Sequence, residues 1–93
     1  QLRRNGRSLY YYKTHENFEV DFFLPKEKML IQVGYSLENE QTRERELRAL
    51  VHASKEQKEP YRLLLLTDGE KATLKQDGLQ IIIVPLYEWL LDL

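Results

Sequence analysis

Apolar residues in this chain occur mainly in short runs separated by polar turns, a pattern typical of β-strands. Five runs predict strands, over residues 9–13, 18–24, 29–35, 62–66 and 79–84. The last two runs are almost wholly apolar, which is expected of strands that are covered on both faces. The polar stretch 70–78 gives no clear secondary-structure signal.

Helical spacing occurs between the third and fourth predicted strands and again at the end of the chain. The first of these helices is capped by Asn39 and ends before Pro60. Its apolar stripe is Leu47, Leu50 and Val51. A short C-terminal helix begins at Pro85. Its apolar side consists of Leu86, Trp89, Leu90 and Leu93.

The predicted order is a truncated first helix followed by a β-β-β-α-β-β-α core. The truncated helix corresponds to residues 1–4, whose last turn ends at Asn5-Gly6. The first three strands are close enough in sequence to pair antiparallel, and the helix after them predicts a parallel crossover to the fourth strand. We therefore predict an α/β fold with a mixed sheet and helices packed on it.

The length and composition allow one domain, spanning residues 1–93, with one core. The net charge of −1 gives no indication of nucleic-acid binding by bulk charge, although Arg3, Arg4 and Arg7 form a local basic cluster. The absence of cysteine excludes disulfides and thiolate metal sites and fits a cytoplasmic protein. No apolar run is long enough for a membrane span, so no membrane partner is expected. Because the chain begins with Gln1, we expect it to be a fragment of a longer protein.

The candidate chemistry lies in the second predicted strand, where Glu19 and Asp21 interrupt an apolar run. Charged side chains are costly to bury, so a metal, a partner charge or an exposed face must compensate for them. If residues 25–28 close a hairpin, Asp21 lies opposite Gln32 and Glu19 lies opposite Gly34. Carboxylate oxygens on neighbouring strands can bind Mg²⁺ or Mn²⁺, which makes Asp21 and Glu19 candidate metal ligands.

The same hairpin register makes two predictions about neighbouring side chains. The opposed pairs are Leu24 with Met29, Phe23 with Leu30, and Phe22 with Ile31. Strict alternation along the strand would place Glu19, Asp21 and Phe23 on one face and Val20, Phe22 and Leu24 on the other.

Several motifs, taken in order, resemble a known family. They are Glu19-Val20-Asp21-Phe22, Ile31-Gln32-Val33-Gly34-Tyr35-Ser36, the segment 42–47 and the ending 83–91. Together they resemble the restriction-endonuclease-like fold, also called PD-(D/E)xK. The resemblance is closer to a domain of unknown function that follows AAA+ ATPase modules in many bacterial and archaeal proteins, and it covers nearly the whole chain.

Carried over by position, the resemblance gives Asp21 the place of the first metal-binding Asp of the nuclease fold. Gln32 stands where the second acidic residue would be, and Gly34 stands where the catalytic Lys would be. The resemblance therefore implies the fold with its first helix truncated, and a degenerate catalytic site made of Asp21, Gln32 and Glu19. It also implies that the chain is the C-terminal part of a longer ATPase. The upstream ATPase module alone would bind ATP, and this part would need no cofactor unless it is an active Mg²⁺ or Mn²⁺ enzyme.

Three functions remain open, so the sequence does not decide whether the chain is an enzyme. The favoured one is a catalytically degenerate nuclease-like accessory domain that binds nucleic acid or protein. The second is an active Mg²⁺- or Mn²⁺-dependent DNA nuclease that uses Asp21 and Glu19, with Lys13 as a relocated basic residue. The third is a protein-interaction domain that docks through the Trp89 helix or an edge strand, for example to form a homo-oligomer.

Each candidate residue also has a purely structural interpretation. Asp21 would hydrogen-bond to tyrosines or backbone, Glu19 would be solvated near a strand end, and Gln32 would bridge its neighbours through its amide. Three other groups are expected to be packed or solvated: the tyrosines 10–12, the histidines His15 and His52, and the charged helix positions 43–48.

Overall fold

The structure, a computed structural model, describes residues 10–34 and 40–91, except for the side chains of Tyr10 and Leu91. Within these ranges the chain forms six strands and two helices. The strands are β1 Tyr10–Lys13, β2 Glu19–Leu24, β3 Met29–Val33, β4 Arg62–Thr67, β5 Ala72–Gln76 and β6 Leu79–Pro85. The helices are α1 Glu40–Lys55 and α2 Leu86–Leu91. Neither of these helices has the length and apolar character needed to cross a bilayer.

All six strands form one mixed sheet in the order β1-β2-β3-β4-β6-β5. β1, β2 and β3 pair antiparallel, β3, β4 and β6 pair parallel, and β5 pairs antiparallel with β6 at the edge. The two parallel ladders are regular, with five paired positions in each. The predicted antiparallel order of the first three strands and the parallel crossover to the fourth are both confirmed.

Each face of the sheet carries its own apolar cluster. The cluster on the α1 side includes Leu30, Leu50, Leu65, Ile81 and Ile83, all fully buried. The cluster on the α2 side includes Leu24, Ile31, Leu64, Leu66 and Trp89. Neighbouring positions of β3 and β4 therefore contribute to opposite clusters, because successive side chains on a strand point to opposite faces. This explains why the predicted strand 62–66 is apolar from Leu63 onwards.

β2 contains a bulge that changes the direction of its side chains. The pairing of β1 with β2 changes register midway, so that two residues of β2 lie opposite one of β1. Val20 and Phe23 consequently pack on the α1 side, whereas Phe22 and Leu24 pack on the α2 side. The strict alternation predicted for this strand, with Val20, Phe22 and Leu24 on one face, is therefore wrong.

The hairpin between β2 and β3 has the register that its turn length predicted. The pairs Leu24–Met29, Phe23–Leu30 and Phe22–Ile31 all occur. Lys28 closes the turn with a positive φ of 55°, and its carbonyl accepts the Arg62 N–H at 2.8 Å. The hairpin is thereby joined to the start of β4.

Three element boundaries differ from the sequence prediction. The stretch 70–78 contains β5, an exposed edge strand followed by a tight turn at Asp77 and Gly78, with φ of 52° and 78°. α1 ends at Lys55, five residues before Pro60. Pro85 is the last residue of β6 rather than the first of α2.

Some predictions concern residues that lie outside the described ranges. They are those for 1–4, Asn5-Gly6, the cluster Arg3, Arg4 and Arg7, Tyr35, Asn39 and Leu93.

Candidate functional site

The residues singled out in the sequence meet at the point where β2 and β3 separate. Regular pairing of the two strands ends at Phe22 and Ile31, and Asp21 and Gln32 lie just beyond this pair. The Asp21 N–H donates a hydrogen bond to Gln32 Oε1 at 2.9 Å. Asp21 and Gln32 are therefore neighbours, as the hairpin register predicted, but they are joined through a side chain instead of a backbone ladder.

Gln32 bridges the two strands through both ends of its amide. Its Nε2 donates to the Glu19 carbonyl oxygen at 2.9 Å, while its Oε1 accepts the Asp21 N–H. The side chain is 3% exposed, so these two bonds satisfy an amide that would otherwise be costly to bury. Gln32 thus replaces the ladder hydrogen bonds that the bulged strand cannot make, which agrees with its structural interpretation.

Asp21 adds a third bond across the same junction. Its Oδ2 accepts the Val33 N–H at 2.9 Å, and its side chain is exposed. The next residue, Gly34, donates its N–H to the Leu66 carbonyl oxygen at 2.8 Å and so extends the parallel ladder. Gly34 has no side chain, so it places no cation beside Asp21, where the resemblance expects a Lys.

Glu46 is a second acid near Asp21 that the sequence analysis missed. It was predicted to be part of a solvated helix surface, but its side chain is half-buried on α1. Burial, and then the negative charge of Asp21, raise the pKa of the Glu46 carboxyl, while Arg45 acts in the opposite direction. The helical spacing indicates the burial of Glu46, because this residue lies four positions before Leu50 and seven before Ala53, on the packed side of the helix.

Glu19 belongs to a separate pair with Tyr11. A hydrogen bond to the Glu19 carboxylate is the main cause that raises the pKa of the Tyr11 hydroxyl to about 12, with smaller contributions from burial and from Asp21. Tyr11 is 57% exposed, so this pair lies at the surface. Lys13 is the strand partner of Glu19 in the register of β1 and β2. Glu19 is therefore solvent-exposed and close to the strand end, as its structural interpretation predicted.

A second polar group lies at the carboxyl end of β4. The Arg43 guanidinium binds both carboxylate oxygens of Glu70, at 3.3 and 3.1 Å. The buried Thr67 hydroxyl donates to the Glu70 carbonyl oxygen at 2.8 Å. These bonds fix the start of α1 to the turn after β4, so Arg43 is not a merely solvated charge.

The described residues of the junction present carboxylate oxygens and backbone hydrogen-bonding groups. Across residues 10–34 and 40–91 there is no group of three or more acidic, histidine or cysteine residues placed to hold a metal ion. Mg²⁺ and Ca²⁺ sites usually combine several oxygen ligands. The residues here therefore fit a divalent cation poorly, and the chemistry they offer directly is hydrogen bonding and negative charge.

Comparison with known proteins gives one curated relative and one family. The chain is 41% identical over 99 aligned residues to the "Uncharacterized protein MJ1544" of Methanocaldococcus jannaschii, and the match covers 96% of this chain and 22% of that protein. The chain thus spans about a fifth of the length of this relative. No solved structure gives a significant match.

The family comparison extends over nearly the whole sequence. The profile described as "Domain of unknown function (DUF4143)" matches residues 1–89. This span includes all of the described strands and the junction of β2 with β3. The chain belongs to the family of domains of unknown function designated DUF4143.

Proposed function

We propose that the chain is a catalytically degenerate, restriction-endonuclease-like accessory domain of a longer AAA+ ATPase, and that it acts by binding. The observation that carries this proposal is the double hydrogen bonding of the Gln32 amide to the backbone of β2. A neutral side chain that bridges two strands stands at the position where a working nuclease would place its second acid.

The strand order supports the nuclease-like part of the proposal. An antiparallel β1-β2-β3 unit followed by a parallel crossover to β4 was predicted from the strand spacing, and it agrees with the β-β-β-α-β order that the resemblance implies. The length of the curated relative supports the accessory part, since 22% coverage leaves room for further domains in that polypeptide. The proposal that the longer protein is an AAA+ ATPase rests on the resemblance of the motifs.

The charge at the junction favours a protein over nucleic acid as the ligand of this surface. Asp21, Glu19 and Glu46 are all acidic, and carboxylates repel the phosphate backbone of a nucleic acid. A basic segment of a protein would instead be attracted to these side chains. We therefore propose that the partner is a protein, such as another part of the same polypeptide.

The proposal is tested by incubating the chain with supercoiled DNA and either Mg²⁺ or Mn²⁺. We expect no nicking, and no saturable Mn²⁺ binding by calorimetry, because the junction has too few ligands. The matched variants are Asp21→Ala and, as a control, Asp68→Ala, which removes an exposed carboxylate after β4. Nicking or Mn²⁺ binding that is lost in Asp21→Ala and kept in Asp68→Ala would overturn the proposal.

The alternative of an active Mg²⁺- or Mn²⁺-dependent nuclease has one observation in its favour. Lys13 is the strand partner of Glu19, so a basic group does lie on the strand next to the acids. This alternative predicts that Lys13→Ala lowers DNA nicking together with Asp21→Ala. The same cleavage assay therefore distinguishes it from the binding role.

The alternative of docking through the Trp89 helix is weakened by burial. Trp89 is 7% exposed and belongs to the cluster beneath α2, so its ring is committed to the core. The edge strand β5 offers a free edge for pairing with a strand of another chain, since its only partner among the described strands is β6. Light scattering of the chain tests this alternative, which requires a mass larger than that of one copy.

A further inference from the structure

The turn between β1 and β2, residues 14–18, is bound to the end of α1 by hydrogen bonds to the carboxylate of Glu56. Glu56 Oε1 accepts the Tyr12 hydroxyl at 2.6 Å, and Glu56 Oε2 accepts the His15 N–H at 2.8 Å. The two oxygens thus bind two points that lie on either side of Thr14. Glu56 follows the last residue of α1 directly, so it connects the helix end to the turn.

A histidine from α1 supports the same contact. The His52 ring stacks on Phe18 with centroids 4.4 Å apart and an interplanar angle of 26°. His52 Nδ1 also lies 3.5 Å from Glu16 Oε1. His52 was expected to be an ordinary surface residue, but its ring makes contacts that fix this turn. His15 is exposed, as expected, and contributes its backbone N–H.

The turn is closed by its own hydrogen bonds. The Thr14 N–H donates to the Phe18 carbonyl oxygen at 2.8 Å, and the Phe18 N–H donates to Thr14 Oγ1 at 3.0 Å. Thr14 is 4% exposed, so these bonds are sheltered from water. Glu19, the first residue of β2, follows the turn directly, so a displacement of the turn also moves Glu19.

We propose that Glu56 is a latch that holds the β1–β2 turn on α1, and that opening the latch displaces the start of β2, where Glu19 and Asp21 lie. This conformational device does not depend on the function proposed above. It makes the geometry of the acidic junction depend on a carboxylate at the end of α1, which contacts the turn preceding β2.

The charges around Glu56 determine how the latch responds to pH. Hydrogen bonds from the Tyr12 hydroxyl and the His15 N–H, together with the nearby His15 and His52 side chains, lower the pKa of Glu56, and burial opposes them. A lowered pKa means that the contact is stable above the ordinary Glu pKa and is lost as the pH falls through the folded value.

The test is an NMR titration of the chain, following the amide proton of His15. We expect this resonance to shift upfield below the ordinary Glu pKa in the wild type, and to lose the transition in Glu56→Gln. Tyr12→Phe removes only the hydroxyl donor and should move the transition to higher pH. The control is Glu59→Gln, which changes an exposed carboxylate paired with Lys28 and should leave the His15 transition unchanged.

Fluorescence of Trp89, the single Trp and a member of the other cluster, separates latch opening from unfolding. We expect the resonances of residues 14–21 to change before this fluorescence does. Amide exchange at residues 18–21 should be about tenfold faster in Glu56→Gln at pH 7, as expected for the loss of one charged hydrogen bond. A single transition shared by His15 and Trp89, or unchanged resonances of residues 14–21 in both variants, would refute the latch.

Discussion

The two halves of this sheet are held together in different ways. The half formed by β3, β4 and β6 has unbroken parallel ladders and apolar side chains on both faces. The half formed by β1 and β2 contains a register change and makes contact with β3 partly through side-chain hydrogen bonds from Gln32 and Asp21. Regular backbone pairing holds the first half, and individual polar residues complete the second.

This difference indicates where sequence changes are tolerated and where they are specific. Apolar contacts are nondirectional, so many side chains of similar size can fill the parallel half. A hydrogen bond from an amide to a strand backbone depends on one donor and one acceptor in a fixed place. We therefore expect large losses of stability in the first half, and smaller but chemically specific losses in the second.

The largest effect is expected from Leu65→Ala in the parallel half. Leu65 is fully buried in the cluster under α1, so its truncation should lower the free energy of unfolding by about 2–5 kcal/mol. Urea unfolding followed by Trp89 fluorescence measures this loss. The control is Leu74→Ala, which truncates a half-buried side chain on the exposed edge strand β5. Equal losses in both variants would contradict the dependence of the loss on burial in the parallel half.

A smaller loss, with a distinct chemical signature, is expected at Gln32. Gln32→Leu leaves the Asp21 N–H and the Glu19 carbonyl without their partners and should cost about 1–3 kcal/mol in urea unfolding. Gln80→Leu changes an exposed amide on β6 and should stay within about 0.5 kcal/mol of the wild type. A neutral result for Gln32→Leu would mean that the bridge contributes nothing to stability.

In the variant Gln32→Glu, we expect the stabilising effect of the bridge to depend on pH. Its protonated carboxyl can still donate to the Glu19 carbonyl oxygen, whereas its ionised form cannot and also faces Asp21. The folded state should therefore raise the pKa of the new carboxyl, so that the variant is closest to the wild type below about pH 4 and loses stability as the pH rises. A stability difference that does not change with pH would show that the amide donor is unimportant.

The parallel half and the hairpin register were predictable from the sequence for physical reasons. Strands buried on both faces must be apolar throughout, which made 62–66 and 79–84 recognisable. The short turn 25–28 fixed the pairing of Leu24 with Met29 and hence the rest of the ladder. The edge strand β5 was not recognised, because a strand exposed on one edge and partly on its faces needs no apolar pattern.

The junction itself was only partly predictable. The predicted register placed Asp21 near Gln32. No pattern of apolar residues predicts the bulge, although the bulge determines the sheet faces on which Phe22 and Phe23 pack. The place of Glu46 could have been inferred from its helical spacing with Leu50 and Ala53. It was missed because a run of alternating charges is usually a solvated surface.

The smallest effect is expected at Glu46, where α1 crosses the boundary between the two halves. Burial and Asp21 raise the pKa of this carboxyl, so its ionisation opposes folding as the pH rises. Glu46→Gln should therefore increase the free energy of unfolding at pH 7 by a few tenths of a kcal/mol, and the gain should disappear below the ordinary Glu pKa. Urea unfolding at pH 4 and pH 7 measures both values.

Glu44→Gln is the matched control, since Glu44 lies two residues earlier on the exposed side of α1 and pairs with Arg48 at 2.6 Å. Losing this pair should lower stability at pH 7 by about 0.3–0.5 kcal/mol, the opposite sign to Glu46→Gln. If the gain at Glu46 arises from repulsion by Asp21, it should shrink in an Asp21→Asn background, as a double-mutant cycle would reveal. A gain that is unchanged in that background would assign the effect to burial alone and would separate Glu46 from the acidic junction.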